Sequence, residues 1–144
     1  MSASSNYLER KILDHVLKNT AYTQPSNLYV ALFTNTSTNA STNLESGTLT
    51  DEVSSSGTAY QRQSVAFGAA STASDSYQTT TSSTSATITF PVATATYGTV
   101  THIAIMDAST SGNVLFYGAL ATSKEILTGD QFTISTGNLT VALA

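Results

Sequence analysis

His102 and Asp107 lie five residues apart in YGTVTHIAIMDASTSGNVLFYGAL, residues 97–120. They are residue types suited to proton transfer, an imidazole titrating near neutrality and a carboxylate able to orient it. Their setting argues against that use. Alternation in TVTHIAIMD predicts a strand over 99–107, with Val100, His102, Ala104 and Met106 on one face and Thr101, Ile103 and Ile105 on the other. Positions five apart differ in strand parity, so the two side chains point to opposite faces unless a bulge intervenes. Asp107, at the strand end, is expected to cap amides of the turn ASTSGN, where Gly112-Asn113 tolerate positive φ. His102 reads as a structural histidine at a sheet surface or subunit contact.

Other chemistry is thinly supplied. A hydrolase needs a nucleophile, a base and a group that orients the base. Serines abound, but no G-x-S-x-G elbow is present, and His15 and His102 are the only histidines. The nine acidic residues are scattered singly apart from Asp51-Glu52, which reads as a solvated pair in a polar loop rather than a catalytic or calcium site. Phosphate-loop, dinucleotide and H-E-x-x-H patterns do not occur, and with no cysteine zinc has few ligands. The N-x-[ST] matches at Asn35, Asn39 and Asn138 are expected by chance in so Ser/Thr-rich a chain. The expectation is a protein that is not an enzyme, with no catalytic, cofactor-binding or metal-binding residues and no cofactor.

Length and composition bound the rest. A chain of 144 residues fits a single domain over 1–144 and can bury a core without staples. Charged residues make up 10% and the formal net charge is -4, which speaks against nucleic acid as a partner. The charges in ERKILDHVLK interrupt apolar runs before they reach signal or membrane-span length. Synthesis in the cytoplasm and no membrane partner are expected. Roughly a third of the residues are Ser or Thr, giving a neutral, hydrated surface rich in strand-forming Thr and turn-forming Ser.

Those residues must be carried by a few elements. Leu8, Ile12, Leu13, Val16 and Leu17 recur at helical spacing, and Asn6 with Glu9 has the form of a capping box, so a helix is expected over about 7–18. It either packs on a sheet or anchors the chain in a partner. NLYVALFT, 27–34, is a continuous apolar run suited to a strand buried on both faces. Strands are also expected in TAYQRQSVAF (58–67, with Tyr60, Arg62 and Ser64 on one face), ATITF (86–90), TVTHIAIMD, NVLFYGAL, KEIL, QFTIST and LTVAL. Two long polar loops, about 35–57 and 68–85, separate them. One N-terminal α-helix followed by seven or eight strands predicts a mainly β fold, an antiparallel β-sandwich of jelly-roll-like kind over about 27–144.

NYLERKILDHVLKNTAYTQPSNLYVALFT, then YGTVTHIAIMDASTSGNVLFYGAL, then TGDQFTISTGNLTVAL resembles, in that order over nearly the whole chain, a family of small virion proteins of tailed bacteriophages. These carry the label tail fibre protein in phage genomes and are similar to capsid decoration, or cement, proteins. The resemblance implies a non-enzymatic virion protein made in the host cytoplasm. The favoured expectation is a homotrimer on the capsid surface that stabilises the head through multivalent contacts with the major capsid protein. Tyr7, Leu8, Lys11 and Ile12 of the helix would then be the docking residues. The alternative is a tail fibre or tail-associated receptor- or carbohydrate-binding protein that uses loops 35–57 and 68–85. Absence of Trp, of an internal repeat and of a heptad weighs against sugar stacking and against a long shaft.

Overall fold

Val30, Ala31, Leu32 and Phe33 are all fully buried, so the strand that carries them has no face toward water. Alternate side chains on a strand point in opposite directions, and burying four in a row requires a layer on each side. The computed structural model, which describes residues 2–72, 79–82 and 84–143, shows what those layers are. In chain order the described elements are β1 (Ser2–Ser4), α1 (Asn6–Leu17), β2 (Leu28–Phe33), α2 (Ala40–Ser46), β3 (Gln63–Val65), β4 (Ser71–Thr72), β5 (Thr79–Ser82), β6 (Ile88–Thr89), β7 (Gly98–Met106), β8 (Val114–Ile126), β9 (Thr133–Ile134) and β10 (Thr140–Leu143).

The main sheet is antiparallel, ordered β1-β8-β7-β2-β3. Two small antiparallel sheets, β10-β5-β4 and β6-β9, accompany it. Val30, Leu32, Val100 and Ile105 of the main sheet share one core with Ile88, Phe90, Phe132, Leu139 and Val141 from the segments of the small sheets. This is the sandwich predicted from the strand pattern. Its centre is aromatic: the Tyr60 and Phe90 rings lie parallel at 6.1 Å, and Tyr97 and Phe132 meet them edge-on at 5.7 and 5.8 Å. Ala31, Phe33, Ala104, Met106 and Val114 on the opposite face form a second core with Leu44 of α2.

That second core corrects the expectation of a polar surface loop over 35–57. Ala40 and Leu44, one helical turn apart, are 1% exposed and hold α2 against the sheet. Gly47, at φ +85°, ends the helix, with its N–H donating back to Leu44 O. Two apolar residues in so short a segment leave little periodicity to detect, and the helix exists because the sheet covers it. The second expected loop, 68–85, contains β4 and β5 where it is described; its Asp75 and Tyr77 lie outside the described residues.

Other expectations shift in detail. α1 starts one residue earlier, because buried Ser5 is its N-cap: Ser5 Oγ accepts from Leu8 N at 3.2 Å and donates to Val114 O, fastening the helix start to β8. Residues 58–67 form a strand only at Gln63–Val65, and ATITF only at Ile88–Thr89. NVLFYGAL and KEIL join into the single long β8. On β7, Val100 faces the sandwich core with Ile103 and Ile105, not the side of His102. The reason is a break in register: Val100 pairs with Lys124 but His102 with Ala119, so four residues of β8 oppose Thr101 alone and the parity of β7 reverses there.

The β7–β8 connection depends on one glycine. Its left-handed residues are Ser111 and Gly112, not Asn113. A Cβ on Gly112 would stand 2.5 Å from Asp107 Oδ1 and 2.7 Å from Ala108 Cβ. Asp107 has no freedom to move away, because it accepts from Asn113 N at 2.6 Å and from Asn113 Nδ2 at 2.7 Å. Adding left-handed strain of roughly 1–2 kcal/mol to overpacking of roughly 1–3 kcal/mol, Gly112→Ala is expected to destabilise the protein by about 2–5 kcal/mol. Urea unfolding measures this directly; an unchanged midpoint would refute the close approach.

Candidate functional site

α1 is attached at one end and bare at the other. Ser5 and Leu8, which is 5% exposed, tie its first turn to β8. Ile12, one turn on, is half-buried. The stripe then leaves the body: Leu13, Val16 and Leu17 are 57%, 69% and 78% exposed. On a helix, Leu13 and Leu17 are i,i+4 neighbours and Val16 lies beside them, so three large apolar side chains form one continuous face. Of the docking residues named from the sequence, Leu8 is spent on holding the helix to the body and Tyr7 is half-buried. Lys11 is exposed, with Nζ 5.6 Å from the centre of the Tyr7 ring. The freely presented residues are Leu13, Val16 and Leu17, which belonged to the same predicted stripe but were not singled out.

The chain after α1 folds back along it. Lys18 N and Thr20 N both donate to Asp14 O, Asn19 takes a left-handed φ of 56°, and Tyr22 N donates to His15 Nδ1 at 3.2 Å. His15 therefore fastens the return of the chain and stands far from His102 in role. These contacts lie on the polar side of the helix and leave the apolar face uncovered.

His102 does not meet Asp107. Its Nε2 is 2.9 Å from Ser41 Oγ of α2 and its Nδ1 is 2.8 Å from Thr101 Oγ1, so the ring joins α2 to the sheet. Burial lowers the imidazole pKa, and the nearby negative Asp51 partly opposes this. Asp51 is 4% exposed, which corrects the expectation of a solvated Asp51-Glu52 pair. Its carboxylate accepts from Ser37 N at 2.9 Å, from Ser37 Oγ at 2.5 Å and from Asn43 Nδ2 at 3.3 Å. The Ser37 hydroxyl bond above all holds its pKa below the ordinary carboxylate value, against the opposing effect of burial.

Glu52 turns the other way. Its two oxygens take Arg62 Nε and Nη2 at 2.7 Å each, and Oε1 also accepts from Tyr60 Oη at 3.1 Å. Arg62 Nη1 continues to Ala108 O and Ser111 O at 2.8 and 2.7 Å, so a single guanidinium connects the segment after α2 to the β7–β8 turn. Such bidentate geometry satisfies both charges. Burial together with the adjacent Glu52 charge pushes the Tyr60 phenol far up, so it stays a neutral donor. Neither acid of the pair is left free for catalysis. Among the described residues no group of three or more His, Asp or Glu side chains could hold a metal ion. A shallow cleft of about 540 Å³ beside Asn35, Thr50, Ser54 and Thr99 is lined mostly by polar side chains, and the Tyr97 ring at its base is 5% exposed, too covered to stack on a sugar.

Two measurements check these networks. His102 and Asp51 both bind protons more weakly folded than unfolded, so stability is complete at neutral pH. It declines as pH falls below the ordinary histidine value of 6.5 and declines further below 3.8. His102→Gln is expected to flatten the first decline, seen as a smaller drop in urea midpoint between about pH 7.5 and about pH 5.5; an equal drop in both proteins would contradict it. Glu52→Ala leaves Arg62 buried without its carboxylate and should cost about 3–5 kcal/mol, with Glu52→Ala/Arg62→Met recovering part of the loss. A double variant no more stable than Glu52→Ala would show that the guanidinium bonds to the turn matter more than the ion pair.

α1 thus leaves an apolar helix face bare on a β-sandwich whose buried charges are committed to structural contacts. Comparison with known proteins agrees with the resemblance read from the sequence. No curated protein matches the chain. A family model described as podophage GP4 fiber I protein gp80 matches residues 3–142. The chain belongs to that Gp80 family, and with it to the structural proteins of phage virions.

Proposed function

We propose that this chain is a non-enzymatic attachment module of the virion, fixed to a larger virion protein by the apolar face of α1. The observation that carries it is the exposure of Leu13, Val16 and Leu17 on a helix whose first turn is rigidly capped. Fully burying such a side chain is worth about 1.5–3 kcal/mol, while association costs roughly 4–15 kcal/mol. A single helix is then a weak anchor. Several copies bound together would hold firmly, which supports a homo-oligomer, with a trimer expected. The family description favours a fibre component as the site of action, with the module at the attached end. Capsid decoration is the second reading, favoured by the chain having no repeat or heptad from which to build a shaft. There the partner is the major capsid protein.

Leu13→Asp/Leu17→Asp tests the proposal, because both residues are exposed and the fold does not need them. Copies per purified particle should fall at least tenfold, while the urea midpoint of the isolated protein stays within about 0.5 kcal/mol of the parent. Unchanged incorporation would remove α1 as the anchor. Immunogold labelling of the parent virion separates the two locations: label at the tail supports the fibre reading, and label over the head supports decoration.

A further inference from the structure

A guanidinium carries five N–H groups, and Arg62 spends four of them on protein acceptors. Nε and Nη2 each donate to Glu52, and Nη1 donates to both Ala108 O and Ser111 O. The second Nη2 hydrogen has no protein acceptor among the described residues, although the side chain is only 3% exposed. In a planar guanidinium that hydrogen points away from the carboxylate, toward the side on which Nη1 meets the β7–β8 turn. Glu52 is also incompletely used. Its Oε2 accepts from Arg62 Nη2 alone, while Oε1 takes both Arg62 Nε and Tyr60 Oη. A buried charged donor without an acceptor is costly and uncommon in a folded protein, so a ligand that supplies the acceptor gains by binding there.

Both groups belong to the wall of one cleft. It encloses about 580 Å³ between the segments 52–55 and 60–62 and the turn residues 109–111. Ser54, Ser55, Gln61, Ser109, Thr110 and Ser111 are exposed along it, so its rim offers hydroxyl and amide groups. Its two apolar members, Val53 and Tyr60, are 5% and 4% exposed. Such a lining gives an apolar ligand nothing to bury against. Charge narrows the choice further. Arg62 and Glu52 offset each other, and the negative charge of Asp107 also acts on Arg62, so the site has no surplus positive charge to hold an anion. A cation would meet the guanidinium. What fits is a neutral ligand that accepts at one atom and donates at a neighbouring one, and hydroxyl groups do both.

We propose that this cleft binds a sugar unit, held by hydrogen bonds rather than by stacking. One ring hydroxyl accepts from Arg62 Nη2 and another donates to Glu52 Oε2, with the rim hydroxyls and Gln61 completing the contacts. Arg62 is already fixed by its four bonds, so presenting the fifth N–H costs no ordering of the side chain. With no exposed ring to stack on, affinity per site is millimolar, and it becomes useful when several copies act together. A peptide could satisfy the same two atoms but would bring side chains for which the wall has no apolar pocket. Of the two loops expected to carry a sugar, only the end of 35–57 takes part; the β7–β8 turn supplies the other wall. The site shares no residue with the bare face of α1 and does not depend on the anchoring role.

The test is an NMR titration of the full chain, labelled with nitrogen-15. The probes are methyl α-glucopyranoside, methyl α-galactopyranoside and methyl α-mannopyranoside, which between them present hydroxyls in axial and equatorial positions. Glycerol, sodium acetate and N-methylacetamide stand as controls for a polyol, an anion and a peptide group. The side-chain N–H signals of Arg62 and the amides of 54, 55, 61 and 109–111 are followed. At least one pyranoside is expected to shift them saturably, with a Kd of about 1–50 mM. Gln61→Leu/Thr110→Val, at two exposed rim positions, is expected to weaken that binding roughly fivefold or more while leaving the urea midpoint unchanged. No saturable shift with any of the three sugars would overturn the proposal, as would an equal response to glycerol. A response to acetate or N-methylacetamide in place of the sugars would overturn it in favour of an anion or a peptide site, and undiminished binding by the double variant would remove the rim from the site.

Discussion

The fold depends on β2 being buried on both sides. Val30 and Leu32 supply one core and Ala31 and Phe33 the other, so a layer must lie on each face of the main sheet. The small sheets make one layer and α2 the other. With Phe90 and Phe33 both fully buried, each core holds a large side chain whose removal would leave a cavity costing roughly 3–5 kcal/mol. α1 is left out of this arrangement. Once α2 has taken the second face, the N-terminal helix can bury only its first turn, and the rest of its apolar stripe faces solvent.

The few charges are used for internal fastening. Asp51 organises the start of α2, Glu52 and Arg62 tie the following segment to the β7–β8 turn, and Asp107 closes that turn. Asp51 and Glu52 are neighbours in sequence yet serve different contacts, Asp51 bonding Ser37 and Asn43 and Glu52 bonding Tyr60 and Arg62. The surface that remains is mostly hydroxyl-bearing, neutral and hydrated. Against it Leu13, Val16 and Leu17 at the end of α1 stand out as a continuous exposed apolar face.

The strand pattern was legible where alternation or continuous burial was strong, as in 28–33 and 98–106, and the antiparallel sandwich followed from it. The divergence of His102 and Asp107 was legible from parity alone. Parity failed at Val100, because four residues of β8 crowd against Thr101, and a partner strand's insertion leaves no mark on the strand that opposes it. α2 was missed because its helical signal is Ala40 and Leu44 alone; the glycine at 47 marks its end and is visible only once the helix is suspected. The α1 stripe was read correctly as apolar. Which part of it is free could not be seen without knowing that Leu8 is consumed by β8.

The most direct measurement is a density map of the virion at side-chain resolution, traced at residues 6–18 of this chain. An attachment module should show Leu13, Val16 and Leu17 packed within van der Waals contact of another virion protein at every copy. A helix whose apolar face stands in solvent in the assembled particle would contradict the account.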